Sequence, residues 1–191
     1  MSQLENLKIV AFVGLSGAGK SSAVKYVTHK GYPEVYFGGV ILNAMTEAGL
    51  EHTQENEQPF REAIRAKEGK DFVVNRIIGQ IHDLVASGQH RIVADGLYTW
   101  TEYKLLKAAF PTALTVISVV APKHIRHQRL NIRPIRPLTN TEATDRDWAE
   151  IENLEKGGPI AIADHFIMND GDIASYDAQI DKALDHIKFY E

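Results

Sequence analysis

The feature that most constrains this chain is an apolar segment that passes through a glycine-rich loop into a lysine, "IVAFVGLSGAGKSSAVKYV", residues 9–27. Residues 14–21 of this segment satisfy the pattern G-x-x-x-x-G-K-[ST]. Glycines let the backbone turn tightly, so that successive N–H groups point inward and form an anion site. An apolar strand before the loop and a helix after it are the context that the motif requires. The segment therefore predicts a site for nucleotide phosphates, and we call residues 14–21 the phosphate loop.

The motif also assigns roles to individual residues of this segment. Lys20 would reach the β- and γ-phosphates, and the Ser21 hydroxyl would bind Mg²⁺. The helix that starts near Lys20 would add the positive end of its dipole. The predicted nucleotide-binding residues here are Gly14, Ser16, Gly17, Ala18, Gly19, Lys20, Ser21 and Ser22.

Composition excludes several other classes of protein. The chain has 191 residues, which suits a single domain, and its net charge of -4 gives no basic surface for nucleic acid. Apolar runs such as "ALTVISVVA" are too short to span a bilayer. The absence of cysteine excludes disulfides and thiolate-bound metals. Glu5 stands where a secretory signal would carry basic residues, so we expect a cytoplasmic protein.

Apolar strand patterns alternate with amphipathic helix patterns along the chain. Strands are predicted over 8–14, 33–37, 91–95, 113–120 and 163–169, and helices over 20–30, 38–50, 54–68, 71–87, 101–110, 122–132, 144–156 and 173–187. Thr144 and Asp147 have the spacing of a capping box for the next-to-last helix. This alternation predicts an α/β fold of three layers, with a central, mostly parallel sheet and helices on both faces.

The strand 91–95 ends in Asp95–Gly96. A GTPase would carry an N/T-K-x-D base-reading motif, which is missing, and motor-type ATPases usually have Asp-Glu at this point. An apolar strand that ends in Asp-Gly is similar to those of nucleoside and nucleotide kinases. Asp95 would then lie beside the phosphate loop and either hold Mg²⁺ through water or orient the acceptor.

Arginines follow in the segment "APKHIRHQRLNIRPIRP". Arg126, Arg129 and Arg133 share one helical face, and Arg136 lies in the proline-containing loop that follows. Phosphoryl transfer needs positive charge on the transferred group, and a mobile loop can supply it while excluding water. Arg133 and Arg136 are the predicted catalytic arginines, whereas Arg126 or Arg129 could instead brace the helix.

Together with "FGGVILNAMTEAGL", "REAIRAKEGKDFVVNR", "VADGLYTWTEYKLLK" and "ADHFIMNDG", these motifs make the chain resemble the nucleoside-monophosphate-kinase superfamily. The nearest group is that of adenylate-kinase-related, dephospho-coenzyme-A-kinase-like proteins, and the resemblance covers almost the whole chain. It implies ATP as donor, bound also by Arg129 and by the loop Asn169–Gly171 against the adenine. It further implies one domain, with a core over 1–37, 88–132 and 145–191, an acceptor-binding insertion at about 38–87 and a lid at about 133–144.

The chain departs from this family at the arginines that bind the acceptor phosphate. The Gly-Asp-x-hydrophobic-Arg segment of adenylate kinases is replaced by "GGVILN" at 38–43, and Asp-Gly-x-Arg becomes "DGLY" at 95–98. Adenylate kinase activity is therefore not expected, because neither asparagine nor tyrosine replaces a bidentate arginine. The expected acceptor-binding residues are Phe37, Gly38, Arg61, Arg65 and Tyr98. Arg61 and Arg65 could supply replacement charge or simply lie on an exposed helix face, and Tyr98 with Trp100 could form an aromatic wall or belong to the core.

The sequence thus predicts an ATP-dependent small-molecule kinase that moves the γ-phosphoryl to a nucleotide, nucleoside or related acceptor. The predicted catalytic residues are Lys20, Asp95, Arg133 and Arg136, and the predicted Mg²⁺ ligands are Ser21 and Asp95. Two alternatives stay open. One is a dephospho-coenzyme-A kinase, although "YFGGVI" lacks that group's Asp-Ala-Asp-like segment. The other is a nucleotide-binding regulator without acceptor chemistry. The sequence does not predict the acceptor or the oligomeric state.

Overall fold

The computed structural model describes residues 5–69 and 71–191, without the side chains of residues 54, 55, 57, 58 and 65. Within this part of the chain, five strands form one parallel sheet in the order β2-β3-β1-β4-β5. The strands are β1 (Lys8–Val13), β2 (Glu34–Tyr36), β3 (Arg91–Asp95), β4 (Leu114–Val120) and β5 (His165–Met168). The predicted α/β class is confirmed, with every described strand pair parallel.

Helices cover both faces of this sheet. They are α1 (Lys20–Thr28), α2 (Phe37–Glu47), α3 (Gln54–Glu68), α4 (Phe72–Ala86), α5 (Trp100–Ala109), α6 (Lys123–Ile132), α7 (Asn140–Glu152), α8 (Gly157–Ala161) and α9 (Ile173–His186). One buried cluster joins the sheet to α2, α4 and α5, and a second joins the opposite face to α1 and α9. The three-layer arrangement follows from these two separate cores.

Strand β1 shows why the sheet needs a layer of helices on each side. Ile9, Ala11 and Val13 belong to the first core, whereas Val10 and Phe12 belong to the second. Successive side chains of a strand point to opposite faces of the sheet. A strand that is apolar at every position must therefore be covered on both faces. Its central place, between β3 and β4, satisfies that requirement.

Helix α7 begins earlier than the sequence predicts. Thr139 and Glu142 form the capping box, in which the Glu142 carboxylate accepts a hydrogen bond of 2.8 Å from the Thr139 N–H. The predicted box at Thr144 and Asp147 is therefore wrong, because Asp147 is buried in contact with α6 instead. The segment between α6 and α7 is accordingly short, residues 133–139. The short helix α8 was also missing from the prediction.

None of the helices that the structure describes has both the length and the apolar character needed to cross a membrane.

Candidate active site

The phosphate loop lies between β1 and α1, at the edge of the sheet where the strands end. Its glycines are required by geometry at two positions. Gly17 has a φ of 79°, and a Cβ atom there would lie 2.6 Å from the Arg126 carbonyl oxygen. Gly19 has a φ of 109°, and a Cβ atom there would collide with the side chain of Asn169. The backbone of the loop therefore lies directly against the segments that follow β4 and β5. Only glycine permits so close an approach at these two positions.

Side chains from those later segments hold the carbonyl groups of the loop. Asn169 donates from Nδ2 to the Ala18 carbonyl at 2.8 Å, and the buried Tyr176 donates its hydroxyl to the Gly19 carbonyl at 3.0 Å. Arg129 donates to the Gly17 carbonyl at 3.4 Å and to Asn169 Oδ1 at 3.2 Å. The side chain of Asn169, predicted near the donor adenine, is thus occupied with the loop itself. Gly171 is exposed in the turn after β5.

Lys20 folds back over the loop and donates from Nζ to the Leu15 carbonyl at 3.1 Å. Burial lowers its pKa to about 8, and the positive charge of Lys156 acts in the same direction. The nearby carboxylates do not fully compensate the buried charge of Lys20, and this favours binding of an anion such as a phosphate. Ser21 and Ser22, in the first turn of α1, line the same cleft.

Asp95 ends β3, which pairs with β1 so that Asp95 lies opposite Phe12. Burial raises the pKa of Asp95, and the charge of Lys20 only partly offsets that rise. The carboxylate therefore lies close to the phosphate loop, where the sequence predicts it. The Asp95 carboxylate and the Ser21 hydroxyl offer oxygen atoms of the kind that Mg²⁺ prefers.

Nothing local in the sequence marks Glu150, which binds the phosphate loop from α7. Its carboxylate accepts hydrogen bonds from the Ser16 N–H at 3.0 Å and from the Ser16 hydroxyl at 2.6 Å. Lys156 Nζ lies 2.8 Å and Arg146 Nε 3.1 Å from Oε1 of the same carboxylate. Burial alone would raise the pKa of Glu150, but Lys156 and Ser16 outweigh burial and lower it to about 2. A carboxylate of the protein thus binds one N–H group of the anion site.

Arg126 and Asp147 clamp α6 to α7 beneath the loop. Two parallel hydrogen bonds of 2.7 and 2.8 Å join the guanidinium to the carboxylate, and both side chains are buried. Arg126 also donates to the Ser16 carbonyl at 3.0 Å, and His127 Nε2 lies 3.0 Å from Asp147. Arg126 is therefore the arginine that braces its helix, one of the two possibilities that the sequence leaves open.

A cleft of about 590 Å³ opens from the phosphate loop toward the helices that follow β2. Phe37, Gly38, Arg61 and Tyr98, which are predicted to bind the acceptor, line this cleft together with Lys20 and Ser21. The side chain of Arg65 lies outside the described part of the structure. The two halves of the predicted site, for donor phosphates and for acceptor, therefore share one continuous space.

The aromatic residues of the cleft divide into wall and core. Lys156 Nζ lies 4.3 Å from the centre of the Tyr98 ring, and both line the cleft. Trp100 instead stacks on Tyr103, with ring centres 5.3 Å apart, and packs against Gly158, where a Cβ atom would come within 2.6 Å of it. Tyr98 thus belongs to the predicted wall, and Trp100 belongs to the contact between α5 and α8.

The two lid arginines differ in position. Arg133 lines the cleft, and its Nε donates to the carbonyl oxygen of Arg136. Arg136 is exposed, has a left-handed φ of 53° and is not among the described residues that line the cleft. The structure brings Arg133, but not Arg136, to the predicted site.

The fold is that of the P-loop kinases. The structure superimposes on TT1252 from Thermus thermophilus with a TM-score of 0.64 and 18% identity, covering 94% of this chain and 97% of that one. Shikimate kinase from Bacteroides thetaiotaomicron gives a TM-score of 0.58 at 12% identity, with 95% and 98% covered. Dephospho-CoA kinase from Campylobacter jejuni gives 0.55 at 14% identity, again with 95% and 98% covered. At these identities the likeness concerns the fold alone.

The chain belongs to the UPF0200 family. It is 31% identical over 182 residues to the UPF0200 protein TK1334 of Thermococcus kodakarensis, a match that covers 94% of this chain and 97% of that relative. A UPF0200 protein of Thermococcus gammatolerans is 30% identical over 182 residues, with 94% and 95% covered. No protein-family model matches the sequence. The solved structures thus support a kinase-like fold in general, and neither comparison shows the specific kinship to adenylate kinases that the motifs favour.

Proposed function

We propose that this protein is an ATP-dependent phosphotransferase that moves the γ-phosphoryl group of ATP to a small-molecule acceptor. The observation that carries the proposal is the single cleft that Lys20 and Ser21 share with the predicted acceptor-binding residues. Donor and acceptor could meet there without either leaving its own subsite. Proximity of this kind is a large part of phosphoryl-transfer catalysis.

Each residue has a distinct part in the proposed reaction. The phosphate loop and Lys20 hold the β- and γ-phosphates, and Arg133 places positive charge on the transferred group. An acceptor oxygen forms its bond to the γ-phosphorus while the bond to the bridging oxygen of the departing ADP breaks. Where that oxygen is a hydroxyl, Asp95 accepts its proton, for which a raised pKa is an advantage. Mg²⁺, held by Ser21 and through water by Asp95, would neutralise charge on the phosphates.

The proposed domain organisation follows the helices. We assign α2, α3 and α4 to the acceptor-binding insertion and residues 133–139, between α6 and α7, to the lid. Arg133 stands at the entrance to this lid, so its closure would bring the guanidinium over the phosphates. Closure would also exclude water, which otherwise competes with the acceptor.

The test is ADP formation from ATP and Mg²⁺ with a panel of nucleosides, nucleoside monophosphates and dephospho-coenzyme A. Lys20→Ala is the test variant, and Lys25→Ala is its matched control, because Lys25 is exposed on the same helix. We expect turnover with at least one acceptor, retained in Lys25→Ala and lost in Lys20→Ala. ATP binding that depends on Lys20 but gives no turnover with any acceptor would favour a nucleotide-binding regulator instead.

A further inference from the structure

We propose that Lys156 is the anion-binding residue of the acceptor subsite, so that the acceptor carries a phosphate or carboxylate group. This inference rests on the proposed function, since it assigns the chemical class of that reaction's acceptor. The Lys156 ammonium group would hold the anionic group of the acceptor against the face of Tyr98.

The position of Lys156 is unusual for a lysine. It is the N-cap residue of α8, four positions after the last residue of α7, is only 5% exposed, and lines the cleft. The chain reaches this position through Glu155, whose φ of 53° is left-handed, and the Lys156 N–H then donates to the Glu150 carbonyl at 3.1 Å. The left-handed residue and this hydrogen bond turn the chain from α7 into α8. The side chain of Lys156 lines the cleft at this turn.

Lys156 shares its carboxylate partner with a second cation. Among the described side chains, Lys156 and Arg146 both bind Oε1 of Glu150, and the buried Glu102 adds an attraction to Lys156 without a hydrogen bond. The other oxygen of that carboxylate is occupied by the Ser16 N–H. Burial lowers the pKa of Lys156, and Glu150 does not fully offset this effect. A buried cation with incomplete pairing is unfavourable, and an anionic ligand would supply the missing charge.

The surroundings of this cation define the rest of the ligand. The Tyr98 ring lies 4.3 Å below Nζ, and Phe37, Ile41 and Leu154 line the cleft nearby. An acceptor suited to this space has an anionic group for Lys156 and a planar or apolar body for these walls. A nucleoside monophosphate has both features, whereas the corresponding nucleoside lacks the first.

The test compares ligands that differ only in their anionic group. The protein is saturated with Mg²⁺ and the non-transferring analogue β,γ-imido-ATP, so that the phosphate loop is filled. It is then titrated calorimetrically with AMP and adenosine, CMP and cytidine, UMP and uridine, GMP and guanosine, shikimate, and inorganic phosphate. We expect at least one anionic probe to bind at least tenfold more tightly than its neutral partner, because a charge-assisted hydrogen bond has about that value or more.

Variants then assign that preference to Lys156. Lys156→Met should weaken binding of the anionic probe about tenfold to a hundredfold and leave the neutral partner unchanged, and Lys156→Arg should restore most of the loss. Lys104→Met is the matched control, since Lys104 is an exposed lysine of α5 beside Trp100. Thermal denaturation establishes that each variant is folded. If Lys156→Met does not fold, a crystal structure of the wild-type ternary complex decides, because the anion must lie within hydrogen-bond distance of Lys156 Nζ.

Several results would overturn the assignment. These are neutral and anionic probes that bind equally well, an anion preference that survives Lys156→Met, an anion bound elsewhere in the cleft, or no anion binding at millimolar concentration. Failure of the proposed function looks different, since it shows as ATP binding without turnover for any acceptor, and the anion titrations then still test Lys156. If the analogue does not bind, or its binding survives Lys20→Ala, the Lys20→Ala protein is titrated with inorganic phosphate alone. Phosphate binding that is lost when Lys156→Met is added to Lys20→Ala supports the anion site. If no phosphate binding is detected, the anion site is refuted.

Discussion

Replacement of Glu150 by glutamine should destabilise this protein more than most substitutions of a charged residue do. The carboxylate is 1% exposed and receives hydrogen bonds from Ser16, Lys156 and Arg146. Glutamine keeps the size of the side chain but replaces one acceptor oxygen with an NH₂ group, which faces donors. Removing one partner of a buried charge cluster leaves the remaining cations uncompensated.

The magnitude follows from the pKa of Glu150. The folded protein lowers this pKa from 4.5 to about 2, and each pKa unit corresponds to about 1.4 kcal/mol. The charged form of Glu150 therefore contributes about 3 kcal/mol to the free energy of unfolding at neutral pH. Because the pKa is lower in the folded state, this contribution is complete above pH 4.5 and is lost as the pH falls toward 2.

Urea denaturation of wild type and Glu150→Gln between pH 7 and pH 3 measures both quantities. We expect a difference in unfolding free energy of about 3 kcal/mol at pH 7 that narrows steadily below pH 4.5. Glu152→Gln is the control, because Glu152 is exposed at the end of the same helix and should change stability by no more than about 0.5 kcal/mol. A difference below 1 kcal/mol at pH 7, or one that does not change with pH, would refute the reasoning about this carboxylate.

Three further substitutions test other contacts of the site. Lys20→Met should raise the melting temperature of the nucleotide-free protein at pH 7, because burial lowers the pKa of Lys20 from 10.5 to about 8 and so disfavours the charged, folded form. This penalty is complete below pH 8 and disappears as the pH rises toward 10.5, so the gain should shrink over that range. Gly17→Ala should weaken ATP binding at least about tenfold by calorimetry, since a Cβ atom would meet the Arg126 carbonyl at 2.6 Å, whereas Gly79→Ala, in open space on α4, should leave binding unchanged. Asp147→Asn should lower the unfolding free energy by about 3 kcal/mol in urea, because it leaves the buried Arg126 without its counter-charge.

The elements of the fold that the sequence predicts correctly depend on residues that are close together in the chain. The phosphate loop is a contiguous motif, and its flanking strand and helix follow from apolar patterns of a few residues each. These inferences need no knowledge of which distant segments touch. The place of Asp95 beside the loop is implied by the resemblance to kinases, and in the structure it depends on β3 being the neighbour of β1.

The features that the sequence did not predict depend on contacts between distant residues. Ser16 and Glu150 are 134 positions apart, and nothing local distinguishes Glu150 from the other acidic residues of α7. The capping box of that helix fails for a related reason. Both Thr139–Glu142 and Thr144–Asp147 have the required spacing, but Arg126 binds Asp147 in the interior and leaves the first pair to form the cap.

Helix α7 connects the phosphate loop to Lys156, the proposed anion-binding residue. The N–H of Ser16 is held by Glu150, and its carbonyl is held by Arg126, which Asp147 orients, so α7 controls both sides of this residue. Oε1 of Glu150 is in turn shared between the Ser16 hydroxyl and Lys156. A ligand that draws Lys156 away from Glu150 therefore changes the charge next to the phosphate loop. Conversely, a phosphate that displaces Glu150 from Ser16 leaves the Glu150 carboxylate bound only to Lys156 and Arg146. By linkage, the two effects must be equal in free energy, so any influence of ATP on acceptor binding through Glu150 has a matching influence of the acceptor on ATP binding.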